Sequence, residues 1–254
     1  MKNVIIFLLE FIAIQYFGGL IVSFIWNACG GSTEPTTAKL ITMSCVVSVL
    51  TIILFLLTRA AKVSPNWLRT RPWAVLCWSS IAALGAIIPS EWLQEQLPEL
   101  PNLVEQEFDM ILRNRWGYLA VGLLAPLSEE LVLRGAILRS LLHSSKLSPR
   151  GAIAISAVFF ALVHFNPVQM PHAFLVGLLL GWMYYRTGSI LPGVAFHWVN
   201  NTVAYVMYNF YPDPHLDLIK FFGNQRTIMA AILFSLFILV PALYQLHLRM
   251  QKAE

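Results

Sequence analysis

The run 4–27, VIIFLLEFIAIQYFGGLIVSFIWN, is apolar apart from Glu10 and a few uncharged polar residues, and it is the first of several such runs. A hydrocarbon layer about 30 Å thick asks for about 20 apolar residues per crossing helix, since no water is present there to satisfy unpaired backbone groups. The runs 40–57 and 73–92 also meet that length. Less regular ones follow at 116–142, 152–165, 172–185, 190–208 and 228–246. Composition agrees with this reading. The chain is 57% hydrophobic and 12% charged, against about 25% charged in soluble domains, which is too little polar material to clothe a water-facing surface. The expected fold is therefore all-α: a polytopic transmembrane bundle of about eight spans, with membrane lipid as its first partner.

Lysine and arginine collect in the loops on the cytoplasmic side of membrane proteins. With eight spans, Arg59, Lys62, Arg69, Arg71, Arg139, Lys146, Arg150, Arg186, Arg249 and Lys252 all fall on one side. Both termini are then expected in the cytoplasm, with the acidic stretch from Glu91 to Asp109 outside. The short loops of this chain point to a bacterial inner (plasma) membrane. A net charge of +4 is accounted for by anionic lipid and calls for no nucleic acid. Cys29, Cys45 and Cys77 show no CxxC spacing and signal neither a disulfide framework nor a zinc site. Three regions are expected: 1–115 with three spans and an amphipathic interfacial segment near 103–112, a core over 116–208, and a loop with a last span over 209–254.

The segment 126–135, PLSEELVLRG, puts two glutamates and an arginine inside an apolar helix. At 100° per residue Glu130 and Arg134 share a face, while Glu129 points about 140° away from Arg134. Glu130 is the natural ion-pair partner of Arg134. Pairing matters because an unpaired charge at mid-membrane costs at least about 2.5 kcal/mol. Glu129 has no partner on its own helix, and an ionisable group kept in that position is a candidate functional residue.

Two later helices supply complementary groups. FALVH sets Phe160 and His164 on one face, and HWVNN sets His197 and Asn201 on another. A glutamate and a histidine facing one water can serve as general base and acid, while a second histidine and an amide donate to the oxyanion of a tetrahedral intermediate. That chemistry hydrolyses a peptide without a cofactor. The alternative is a zinc ion held by Glu129, His164 and His197, with its bound water activated. No HExxH motif supports it.

EELVLR, FALVH and HWVNN resemble, in order, the EExxxR, FxxxH and HxxxN motifs of the CPBP intramembrane protease family, which includes type II CAAX prenyl proteases and bacteriocin-processing or immunity proteins. The resemblance covers about 116–208 and implies an intramembrane endopeptidase with a cavity inside the membrane. It further implies that Glu129 and His164 activate water, that His197 and Asn201 form the oxyanion hole, and that Glu130, Arg134 and Phe160 support the site. Both metal-dependent and glutamate-type members of the family are described, and the residue types here favour the glutamate type. The expected substrate is a hydrophobic or lipidated peptide, either a prenylated CAAX-like protein or a bacteriocin leader. A non-catalytic scaffold or immunity protein using the same cavity is the competing reading.

Smaller features complete the expectations. Gly177 and Gly181 give a GxxxG spacing suited to close helix approach. Asp213, His215 and Asp217 imitate a metal site but read as a solvated loop. His143, His172 and His247 fall near helix ends and mark interfaces.

Overall fold

The computed structural model describes residues 2–61, 73–144, 147–211, 213 and 216–251. Lys62, Arg69, Arg71, Lys146, Lys252 and His215, all used in the reading above, lie outside the described residues. Among the described residues the chain is helical throughout, with no strand.

Helices α1 (Lys2–Ala28) and α2 (Thr37–Leu57) pack as a pair. Their connection is tied down by Lys39, whose Nζ donates to Asn27 Oδ1 at 3.1 Å and to the carbonyls of Ser32 and Thr33. Thr36 caps α2 by accepting from the Lys39 backbone N–H, the usual role of a hydroxyl at a helix start. Helix α3 (Trp73–Glu95) is followed by the short α4 (Glu105–Leu112), a helix within the stretch expected to be amphipathic. It buries Ile111 and Leu112 and leaves its acidic first turn outward.

The next helix, α5, covers 119–142 and is a composite: a π-helical Leu119–Leu124, an α-helical Ala125–Glu130, a second π stretch Leu131–Leu138 and a last α turn Arg139–Leu142. Backbone angles stay in the right-handed helical region at each junction. Wide π turns of this kind are frequent at functional sites. Helix α6 (Pro149–Leu162) starts with Ser148 accepting from Gly151 and Pro149 in its first turn, a strong start signal. Helices α7 (Met170–Thr187), α8 (Leu191–Phe210), the short α9 (Leu218–Phe222) and α10 (Gln225–Arg249) complete the chain.

Helix α5 lies at the centre, in contact with α1, α2, α6, α7 and α8, while α3 packs along α10 and against α8. Every residue of Leu131–Leu138 is buried. The expected GxxxG approach is present between α6 and α7. A Cβ added at Gly177 would lie 3.0 Å from both Cα and Cβ of Ala157, and one at Gly181 would lie 3.0 Å from Ile153. Glycine is what lets these two helices touch.

Among the described residues four helices are long and apolar enough to cross a membrane: α1, α2, α3 and α10. The other four expected spans coincide with α5 to α8, whose character differs. α6 has 14 residues, reaching about 21 Å at 1.5 Å per residue. Helices α7 and α8 are long enough but fall below the hydropathy of the four, and α5 changes winding three times along its length. The structure thus gives an all-helical membrane protein with four plain candidate spans, and the count of eight goes beyond it.

The ends of the helices segregate. The ends of α2, α5, α7 and α10 meet at one pole, where Arg139 Nη2 donates to the Ala60 carbonyl at 3.3 Å and Arg186 Nη2 donates to those of His247 (2.9 Å) and Met250 (3.1 Å). The α1–α2 connection, α4 and α9 lie at the other pole, where Leu40 and Ile41 pack on Ile111.

Candidate active site within the bundle

The two glutamates of α5 have different surroundings. Glu130 and Arg134 are 0% exposed, and Arg134 Nη1 donates to Glu130 Oε1 at 2.6 Å. This is the pairing expected from their spacing, kept even though Arg134 lies in a π stretch. Arg134 Nη2 donates to the Gly177 carbonyl of α7 at 3.2 Å, and its guanidinium carbon stands 4.4 Å above the centre of the Phe160 ring, an attractive cation–π placement. One buried cation thus joins α5, α6 and α7. Room for the carboxylate comes from α8, where a Cβ on Gly193 would sit 2.6 Å from Glu130 Oε2.

Glu129 faces elsewhere. Its side chain is 20% exposed, and its Oε2 lies 3.9 Å from His197 Nε2. His197 has Glu130 on its other side, with Nδ1 3.4 Å from Glu130 Oε1 but outside hydrogen-bond geometry. The imidazole is therefore flanked by both carboxylates of the EE pair. No hydrogen bond reaches the buried Glu129 Oε2, which leaves it as an acceptor directed at the site.

Phe160 is the ring around which the site is organised. Its edge contacts place it 5.1 Å from the His164 ring and 5.5 Å from the His197 ring, both T-shaped. His164 Nδ1 lies 2.7 Å from the Phe160 carbonyl. Since a carbonyl only accepts, Nδ1 carries the proton there and Nε2 is left as the basic nitrogen. Asn201 Nδ2 donates to the Val121 carbonyl of the first π stretch at 3.0 Å, and its Oδ1 accepts from Asn200 at 3.3 Å. Tyr118, whose hydroxyl accepts from Trp198 Nε1 (2.9 Å) and bonds Thr202 (3.0 Å), fastens the start of α5 to α8 beside it.

All four predicted reacting residues line one cavity of about 1050 Å³. Glu129 and His197 stand face to face, while His164 joins them through Phe160 and the shared cavity. His172 and Asn200 line the same cavity side by side. Spacing placed His172 at a helix end, and it is in the first turn of α7. Its place beside the site depends on how α7 and α8 meet, which no motif along one helix reports.

The alternative zinc set was Glu129, His164 and His197. Among the described residues no three His, Cys, Asp or Glu side chains form a group that could hold a metal ion. Those three side chains do not fit one as they stand. Asp217, from the loop that imitates a metal site, instead caps α9 by accepting from the Lys220 N–H at 2.6 Å.

An all-helical, strongly apolar chain that encloses carboxylates, imidazoles and an amide around one cavity belongs to the class of membrane proteins with a buried polar site. Residues 112–203 match the family model described as type II CAAX prenyl endopeptidase Rce1-like, a family of proteases. This part of the chain is similar to that family. It takes in all three motifs and leaves α1 to α3, α9 and α10 outside. No curated protein and no solved structure matches the chain.

Proposed function

We propose that the protein is an intramembrane endopeptidase of the glutamate type. The observation that carries this reading is Glu129, whose buried Oε2 receives no hydrogen bond and whose side chain lines a cavity with His164 and His197. Glu129 takes a proton from water as the water oxygen adds to the scissile carbonyl, with His164 Nε2 holding the same water. The proton then passes to the leaving amine, so that one water and one peptide bond become a carboxylate and an amine. Base catalysis of this kind contributes about 10² to 10⁴ in rate.

The developing oxyanion is met by His197 and Asn201. An asparagine amide has two N–H groups, and Val121 occupies one, leaving the other to donate. His197 Nε2, at 3.9 Å from Glu129, is beyond hydrogen-bond range and free to turn its N–H to a substrate oxygen. The cavity favours a hydrophobic or lipid-anchored peptide, since most of its wall is apolar side chains such as Phe11, Leu84, Val176 and Phe222. In this reading the protein resides in the inner membrane of a bacterium with both termini cytoplasmic, and no cofactor takes part.

The test compares new peptide termini in membranes of cells expressing the wild type and Glu129→Gln at equal levels, with and without a chelator. Termini that vanish in the variant and persist under chelation are expected. Identical termini in both strains would sink the protease reading in favour of a binding role for the cavity. Termini lost on chelation would overturn the glutamate mechanism.

A further inference from the structure

The cavity belongs to one half of the bundle. Its walls are the middle of α1 and α2, the C-terminal parts of α3 and α6, α8 from His197 onward, the N-terminal parts of α5 and α7, and the short helices α4 and α9. Of its exposed lining residues, Glu91, Glu95, Phe165, Asp217 and Phe221 lie at that pole, Ala204 lies along α8, and Gln15 and Leu84 lie at mid-length of α1 and α3. Nothing from the C-terminal half of α5 or the N-terminal half of α6 reaches the cavity. The way toward the opposite pole is filled by Leu131–Leu138, every residue of which is buried. The site therefore has a mouth at one pole and a packed floor toward the other.

The poles also differ in charge. Around the mouth stand Glu34, Glu91, Glu95, Glu99, Glu105, Glu107, Asp109, Asp213 and Asp217. Among the described residues five cations stand there too: Lys39 is buried among loop carbonyls, Arg113 is held by Asp109 at 2.8 Å, and Arg115, Lys220 and Arg226 complete the set, against nine carboxylates. The floor pole presents Lys2, Arg59, Arg139, Arg150, Arg186 and Arg249 at its helix ends, with no Asp or Glu at those ends among the described residues. Short loops rich in Lys and Arg stay in the cytoplasm, and this bias sets the orientation of the whole bundle.

We propose that the cavity is entered from the extracytoplasmic face, so that the substrate is a peptide segment exposed on the outer side of the membrane rather than a prenylated protein of the cytosol. This deepens the protease reading by fixing the class of its substrate. The orientation on which it rests is independent of whether any bond is cut.

The experiment reads orientation and cleavage separately. Native Cys29 is exposed at the mouth-side end of α1, so replacing Cys45 and Cys77 by alanine leaves a reporter at that pole. A cysteine-free chain carrying Phe221→Cys reports the mouth itself, and one carrying Gln251→Cys reports the floor pole, where Gln251 is exposed. Each is treated with a charged, membrane-impermeant maleimide in right-side-out and inside-out vesicles. Cys29 and Phe221→Cys are expected to label in right-side-out vesicles, and Gln251→Cys only in inside-out ones. The reverse pattern, or labelling of both poles from one side, overturns the proposal. Glu129-dependent termini confined to cytosolic proteins would also overturn it, even with the expected labelling. The expected labelling with no Glu129-dependent termini would instead uphold the orientation and sink the protease reading.

Discussion

Helices α1 and α5 are both apolar, yet they use apolarity for different ends. In α1 only Val4, Phe11, Gly18 and Gly19 are buried, and Tyr16, Phe17, Leu20, Ile21 and Phe24 face outward. In α5 the whole of Leu131–Leu138 is enclosed by protein, with an arginine among the enclosed residues. The outward face of α1 is left to lipid, so the side chains there need only be lipid-soluble. Protein surrounds α5 from Leu131 to Leu138, so an arginine can be retained there with Glu130 as its partner. The outer helices hold the solvent away, and the inner ones carry the chemistry.

The change that would break this contrast most severely is Arg134→Ala. It would strand Glu130 as an unpaired buried charge and remove the link to Gly177 and Phe160, at an expected cost of about 3–5 kcal/mol. Thermal unfolding in detergent would measure it. A loss below about 1 kcal/mol, as for a solvated surface pair, would mean that water reaches the pair. Next comes Glu129→Gln, which keeps the shape and removes the base. Peptide cleavage should fall by about 10² to 10⁴ with the unfolding temperature unchanged, and a parallel fall in both would recast Glu129 as structural.

Gly177→Val tests the inner packing directly, since Ala157 backbone and side-chain atoms already lie 3.0 Å from the added Cβ. Overpacking of this kind typically costs about 1–3 kcal/mol, and a neutral result would show that α6 and α7 can slide apart. The smallest effect is expected at the outer helix. Phe24 is 73% exposed, and Phe24→Leu should change stability by less than about 0.5 kcal/mol. A large loss there would reveal a neighbour packed on α1.

The same contrast explains what the sequence disclosed. Helices α1, α2, α3 and α10 could be read from hydropathy because lipid imposes apolarity on their whole outward surface. Helices α5 to α8 face one another, so their hydropathy is diluted by the groups they bury, and residue spacing marked them instead. Glu130 and Arg134 could be paired in advance because four residues bring two side chains together along one helix. The GxxxG contact was legible for the same reason. The π stretches were not, since pairing each N–H with a carbonyl five residues back follows from packing between helices and has no signature in residue type. Nor was the placing of His197 between two carboxylates, or of His172 beside Asn200, because each depends on how separate helices meet.

The winding of α5 also bears on descent. Removing one residue from an α-helix turns everything beyond it by about 100°, which would carry a site helix off its neighbours. A π stretch holds one residue more per turn than it needs. Between Gly135 and Leu138 the chain could therefore shed a residue by tightening to α winding, with Arg139 and the helices after it left in register. Relatives that differ in length by one residue at this point would then keep a superimposable site.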